Sequence, residues 1–339
     1  MAVRVAINGF GRIGRLAFRA MFDRKDVNVE VVHINDPGAP AATLAHLLKY
    51  DSIHGIWGHE VSATSDAIIV DGRKFSVSAE RTIGGVDWKG KGVQVAIDAS
   101  GRHRTAELTK PFFDAGVPKV LVSAPLKGED GKMIVMGVND DTYNPATDHL
   151  LSPASCTTNC LAPVVKVIND NLKIRHVTMT TIHSPTSSQK VVDVPDSDLR
   201  RARACSLSMI PTSTGAATAV TKVIPSLKGR INGQAVRVPS MNASLTDIVF
   251  ELEEATSVET VNGLLKAASE APNFKGRMGY TELPLVSIDY KTDSRSSIVD
   301  GPCTMVIHGT MVKVFSWYDN EWGYSNRLVE CAQMVGSKM

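Results

Sequence analysis

Short apolar runs rich in β-branched residues alternate with amphipathic stretches through the first part of the chain. Residues 3–7 (VRVAI) are the first such run and read as a buried strand. The run passes into Asn8-Gly9-Phe10-Gly11-Arg12-Ile13-Gly14, after which RLAFRAMFDRK carries helical spacing. Further strands are expected at 29–34, 67–70, 93–98 and 119–123, with helices at 41–48 and 105–115. Strands that alternate with helices imply a parallel, doubly wound sheet.

From about residue 150 the pattern changes. LSPASCTTNCLAPVVKVINDNL reads as a strand end, a turn and a helix that contains Cys156. Longer strand-like runs follow at 177–182, 234–238, 246–252, 285–288, 304–307 and 312–317, with a helix at 257–271. The polar, weakly basic segment 184–208 is too irregular for one element. Runs of strands with few helices suggest an α+β second domain. The final WYDNEWGYSNRLVECAQMV reads as a loop and then a helix that returns to the first domain.

Composition narrows the class. A chain of 339 residues suits two domains at about 150 residues each. Hydrophobic content of 43% with 21% charged residues excludes a disordered or fibrous chain. With 37 basic and 35 acidic residues the net charge is +2, which supports neither nucleic acid nor a membrane surface as partner. Five cysteines are too few, and odd in number, for a disulfide framework. No secretory signal or long apolar window is seen, so a cytoplasmic location is the expectation.

Gly9-x-Gly11-x-x-Gly14 has the dinucleotide-binding spacing in its required context, with a strand before it and a helix after. One glycine serves the tight turn, one lets the backbone approach a pyrophosphate, and one allows close helix–strand packing. Asp36, 22 residues past Gly14, is placed to accept from an adenosine ribose and to repel a 2′-phosphate, favouring NAD over NADP. Cys156 begins a helical stretch, where the dipole favours a thiolate. Cys156 and Cys160, four apart, equally suit small buried hydrophobes. No Cys or His pair has tetrahedral metal spacing, so no metal is expected. Nine histidines compete as the base for a reactive thiol. Among them His183 ends a strand-like run and enters a Ser/Thr-rich loop.

INGFGRIGR at 7–15, ASCTTNCLAP at 154–163, LRRAR at 199–203, TSTGAA at 212–217, RVP at 237–239 and WYDNEWGYSNR at 317–327 extend these signals. Together they resemble the phosphorylating glyceraldehyde-3-phosphate dehydrogenases over essentially the whole chain. The resemblance implies an α/β fold with a Rossmann doubly wound NAD-binding domain at 1–153, to which a C-terminal helix at 320–339 returns. It implies an α+β catalytic domain with a mostly antiparallel sheet at 154–319. It also implies NAD as cofactor, a homotetramer, a place in glycolysis, and glyceraldehyde 3-phosphate and inorganic phosphate as substrates.

By the same resemblance Cys156 is the nucleophile and His183 its base. Arg12, Ile13, Asp36, Arg81, Ser123 and Asn320 match NAD contacts beside Gly9, Gly11 and Gly14. Ser155, Cys156, Thr157, Thr186, Arg201, Thr214, Gly215 and Arg237 match positions that hold the substrate phosphate and the attacking phosphate. The 184–208 segment matches a loop that reaches a neighbouring subunit's cofactor pocket. Val194 stands where leucine is common in NAD-specific members, with Pro195 kept. GYTELPLVSIDY at 279–290 is similar to the erythrose-4-phosphate branch, although Thr186 and Thr214-Gly215 are retained. HINDPGAPAATLAHLL, RRARACSLSMIP and residues 279–300 are similar to a branch associated with arsenate resistance, in which arsenate replaces phosphate. The two anions share charge and shape, so the pocket residues leave both acceptors open.

Overall fold

The computed structural model describes residues 2–339. The chain divides into two units, one of Met1–Ile134, Asp140–Ala154 and Ser325–Met339, the other of Val135–Asn139 and Ser155–Tyr324.

The strands of the first unit are β1 (Val3–Asn8), β2 (Val29–Asn35), β3 (Val61–Ala63), β4 (Ala67–Val70), β5 (Arg73–Ser78), β6 (Val95–Asp98), β7 (Lys119–Val122), β8 (Lys132–Met133) and β9 (Leu150–Ser152). They form one sheet in the order β3-β4-β5-β2-β1-β6-β7-β9-β8. Every pair from β5 to β8 is parallel, and β3 and β4 add an antiparallel edge. Strands β6 and β7 are buried at every position, as central parallel strands must be. The helices are α1 (Arg12–Asp23), α2 (Ala41–Lys49) and α3 (Ala106–Asp114), the last capped by Thr105, whose hydroxyl accepts from Leu108 N–H. Strand order reverses at β1, so the Gly9–Gly14 turn lies at the switch point, where such sheets bind ligands. Strand β5 was not expected from the sequence. RKFSVS buries only Phe75 fully and is ordered by pairing with β2 and β4.

The second unit holds β10 (Ile174–His183), β11 (Ile210–Ser213), β12 (Ile231–Arg237), β13 (Ser244–Leu252), β14 (Met278–Thr281), β15 (Ser297–Ile307) and β16 (Met311–Tyr318). Their order is β11-β12-β10-β13-β16-β15-β14, with β10/β12 and β14/β15 parallel and the other four pairs antiparallel. Strand β13 alternates buried and half-buried residues along its whole length, the signature of one covered face. Helices α4 (Cys156–Leu172), α5 (Ala216–Val223) and α6 (Val258–Glu270) belong to this unit, and α4 packs on β13, β15 and β16. Helix α7 (Trp322–Ser337) ends the chain. Its Ser325–Ser337 part lies in the first unit, where Glu330 accepts from Arg24 at 3.1 Å.

The strand expected at 285–288 does not form. Ser287–Tyr290 is instead a 3-10 turn, with Val286 and Ile288 59% and 58% exposed. Pro284 has no N–H to give a ladder, and the Asp289 carboxylate takes the Val286 N–H at 2.8 Å. Segment 184–208 is irregular, as its composition implied, with a single bridge pairing Lys190 and Ala204.

Candidate active site

Helix α4 starts with a built cap. Ser155 is extended, at φ −123° and ψ 166°, and its hydroxyl accepts from Thr158 N–H at 3.1 Å. Just before it Ala154 takes φ +56°, a left-handed conformation that costs an alanine about 1 kcal/mol or more. Cys156 is thus the first residue of a 17-residue helix, where unpaired N–H groups and the dipole favour an anion.

Parallel register brings its partners together. His183 ends β10 opposite Arg237 at the end of β12. His183 Nε2 lies 3.4 Å from Cys156 Sγ. On the other side of the ring Nδ1 is 2.7 Å from Ser184 O, and Arg237 Nη1 lies 2.6 Å from Nδ1 and 2.9 Å from the same carbonyl. Ser184 O can accept from an Nδ1–H, the tautomer that leaves an Nε2 lone pair facing the thiol, whereas donation from Arg237 to Nδ1 belongs to the other tautomer. Burial, followed by the Arg237 charge, pushes His183 down to about 3. Burial also pushes the Cys156 thiol up, against the pull of Arg237 and the donors of Thr157. The resting pair is therefore a neutral thiol facing a neutral imidazole, with charges arranged to favour sulfur once a proton moves.

The sequence reading did not single out Tyr318. Its buried hydroxyl is 2.9 Å from both Thr157 Oγ1 and Thr181 Oγ1, and its ring meets His183 edge-on at 5.9 Å. It therefore ties the first turn of α4 to β10. Its position lay within a quoted motif, but nothing local marks which aromatic of that motif turns inward.

Arg201 donates to Thr212 at 2.7 Å and Ser213 at 3.2 Å, and its charge reaches Arg237. Thr186 packs its hydroxyl against Ser188 and Gln189 at 3.0 Å. Gly215 caps α5, and Thr214 Oγ1 accepts from Ala216 N–H at 3.2 Å. Asn320 is buried, and its Oδ1 accepts from Ser244, which itself accepts from Ser184 N–H. Among the described residues no group of three His, Cys, Asp or Glu side chains is placed to hold a metal ion. All five cysteines are free.

In the first unit, a cleft of about 650 Å³ is lined by Gly9, Gly11, Asp36, Arg81, Ser100 and His103, among others. Gly9 has φ +92°, and a Cβ there would sit 2.6 Å from Ser100 N; one on Gly14 would sit 2.2 Å from Gly9 O. Around Gly11, the α1 N-cap, a Cβ would meet no protein atom within 4 Å. That open cradle at a helix N-terminus fits a pyrophosphate. Asp36 accepts from Phe10 N–H at 2.6 Å and Gly38 N–H at 2.7 Å, so its carboxylate is held in place. Arg12, in the first turn of α1, pairs with Asp51 at 3.1 Å, and Ile13 beside it is half-buried. Ser123 follows β7, with its N–H on Asp98 O.

Sequence comparison agrees with this geometry. The family model described as the glyceraldehyde 3-phosphate dehydrogenase NAD binding domain matches residues 3–106, and the C-terminal domain model of the same family matches 155–320. The chain belongs to the glyceraldehyde-3-phosphate dehydrogenase family. It is 55% identical to glyceraldehyde-3-phosphate dehydrogenase 3 of a Nostoc species over 99% of this chain and 98% of the relative. It is 51% identical to the glyceraldehyde-3-phosphate dehydrogenase of Geobacillus stearothermophilus over 100% of this chain and 99% of the relative. Identity to glyceraldehyde-3-phosphate dehydrogenase 1 of Bacillus cereus is also 51%, over 99% of each. As a member of this family the chain is an NAD-dependent oxidoreductase, with NAD as its cofactor.

Proposed function

We propose that the chain oxidises glyceraldehyde 3-phosphate with NAD and inorganic phosphate to 1,3-bisphosphoglycerate, through a thioester on Cys156. The observation that carries this reading is the thiol at a helix N-terminus facing His183 Nε2 at 3.4 Å, with Arg237 alongside. His183 takes the thiol proton, and Sγ adds to the aldehyde carbon. The oxyanion of the resulting thiohemiacetal draws on the imidazolium N–H and the Cys156 backbone N–H. NAD, when bound, supplies the hydride acceptor that takes the thiohemiacetal to the thioester. Phosphate then attacks the acyl carbon and Cys156 leaves as the thiolate.

Two anion sites are needed, one for the substrate phosphate and one for the attacking phosphate. Ser155, Thr157, Thr186, Arg201, Thr214, Gly215 and Arg237 supply their donors. In the cofactor cleft, Gly9, Gly11, Arg12, Ile13, Gly14, Asp36 and Arg81 take the adenosine and pyrophosphate, with Ser123 and Asn320 as further NAD contacts. Arsenate as acceptor, or erythrose 4-phosphate as substrate, is not favoured: the relatives at 51–55% identity are named for glyceraldehyde 3-phosphate.

A homotetramer in the cytoplasm completes the reading. Leu199, Leu207 and Met209 are 82%, 85% and 73% exposed, which suits cover by another copy, and a working free thiol suits a reducing compartment. NADH formation tests the activity directly. Turnover with glyceraldehyde 3-phosphate must require phosphate and vanish in Cys156→Ser; turnover without phosphate, or surviving that substitution, refutes the reading.

A further inference from the structure

We infer that His103 reads the adenine of the bound dinucleotide by accepting a hydrogen bond from its 6-amino group, and that Asp98 is the positioning residue that sets the imidazole for this. The inference rests on the reading that NAD fills the first unit's cleft.

A chain of polar side chains crosses the C-terminal ends of β2, β1 and β6 beneath that cleft, and a backbone group dictates its polarity. The Glu80 N–H can only donate, and it donates to Asn35 Oδ1 at 2.9 Å. The Asn35 amide nitrogen therefore points the other way and donates to Asn8 Oδ1 at 2.8 Å. Asn8 Nδ2 in turn donates to Asp98 Oδ1 at 2.7 Å. The three residues are 2%, 5% and 1% exposed, so none can turn to water without breaking the series.

Asp98 Oδ2 stands 3.2 Å from His103 Nδ1, with Ser100 Oγ 3.3 Å away on the same nitrogen. A carboxylate only accepts, so Nδ1 carries the ring proton, and the neutral imidazole presents a lone pair at Nε2. The His103 side chain is 23% exposed and lines the cleft. Asp36, the ribose ligand in this reading, lines the same cleft as Glu80, Arg81, Ser100 and His103. A base attached to a ribose on Asp36 would lie in this cleft, where the Nε2 lone pair of His103 would offer it an acceptor. The adenine 6-amino group is a donor, so the two match.

Calorimetric dissociation constants for NAD and nicotinamide hypoxanthine dinucleotide test this. The analogue carries a 6-oxo acceptor in place of the amino donor. Wild type should favour NAD by about tenfold, the worth of one well-made hydrogen bond. His103→Phe should bring the two dinucleotides within about twofold of each other. In Asp98→Asn the amide oxygen still accepts from Asn8, so its nitrogen donates to His103 Nδ1 and moves the ring proton to Nε2. The preference should then invert towards the analogue.

Equal binding by wild type, or a preference for NAD that persists in His103→Phe, overturns the role of His103. A preference left unchanged in a folded Asp98→Asn overturns the positioning role. Binding of neither dinucleotide to wild type overturns the cofactor reading and this inference together. His103→Phe, at a partly exposed loop position, decides the matter even where the buried Asp98 variant does not fold.

Discussion

Gly11 separates a cofactor glycine from folding glycines. It is the N-cap of α1 at φ −69°, and a methyl group there meets no protein atom within 4 Å. In Gly11→Ala the loss of chain entropy in the unfolded state stabilises by about 0.4–1 kcal/mol. Alanine is a poorer N-cap than glycine by a similar amount, so the two nearly cancel. Net stability should stay within about 0.5 kcal/mol of wild type, and Tm within about 2 °C. The methyl instead fills space that the pyrophosphate needs, and overpacking of that kind costs about 2 kcal/mol, or about 30-fold in Kd for NAD.

Gly14→Ala should behave in the opposite way. Its Cβ would lie 2.2 Å from the Gly9 carbonyl oxygen, so the fold itself must shift, and Tm should fall by several degrees. Differential scanning fluorimetry and NAD titration on the two variants give the answer. Wild-type NAD affinity in a folded Gly11→Ala would refute pyrophosphate binding at this helix end. A large drop in its Tm would refute the claim of open space.

Tyr318→Phe leaves Thr157 and Thr181 hydroxyls buried without their shared partner, and should cost about 2 kcal/mol in urea denaturation; an unmoved midpoint would mean the hydroxyl is idle. His183, held at about 3 in the fold against about 6.5 unfolded, binds fewer protons folded than unfolded between those values. Its contribution is therefore complete above about pH 6.5 and declines as pH falls, by about 2 kcal/mol between pH 7 and 5. His33, pushed to about 4 chiefly by burial, acts in the same sense. His59 acts in the opposite sense, because Asp71 and Asp23 raise it against the effect of burial. The readout is thus the difference between wild type and His183→Gln, which should show the shallower loss; parallel curves would contradict the buried neutral imidazole. Alkylation by iodoacetamide near neutral pH should reach Cys156 first and slow at least about tenfold in His183→Asn, as removal of a general base requires. Equal rates would leave His183 no part in activating the thiol.

Much of the cofactor site is legible in the chain because its signals are local. A β-branched run, three glycines at fixed spacing and an amphipathic stretch lie within about 25 consecutive residues, and each constrains its own backbone. The Ser155 cap of α4 and the Thr105 cap of α3 are local in the same way. The strand expected at 285–288 fails where local apolarity competes with a proline and a capping carboxylate, a contest that periodicity does not weigh.

The catalytic pairing is of another kind. Residue types and the resemblance to a known family named Cys156 and His183, but their 3.4 Å separation comes from the end of β10 meeting the start of α4. Arg237 reaches the same imidazole only because β10 and β12 run parallel in one particular register. No local signal marked the contacts of Tyr318 or of the Glu80-to-His103 series, since their partners are scattered along the chain and share no period. Sequence alone therefore determined which chemistry the chain carries and where its main elements lie, through propensities felt over a few residues. Distances, proton positions and the neutral state of the buried imidazole were decided by tertiary structure, because burial and long-range register exist only once the strands have come together.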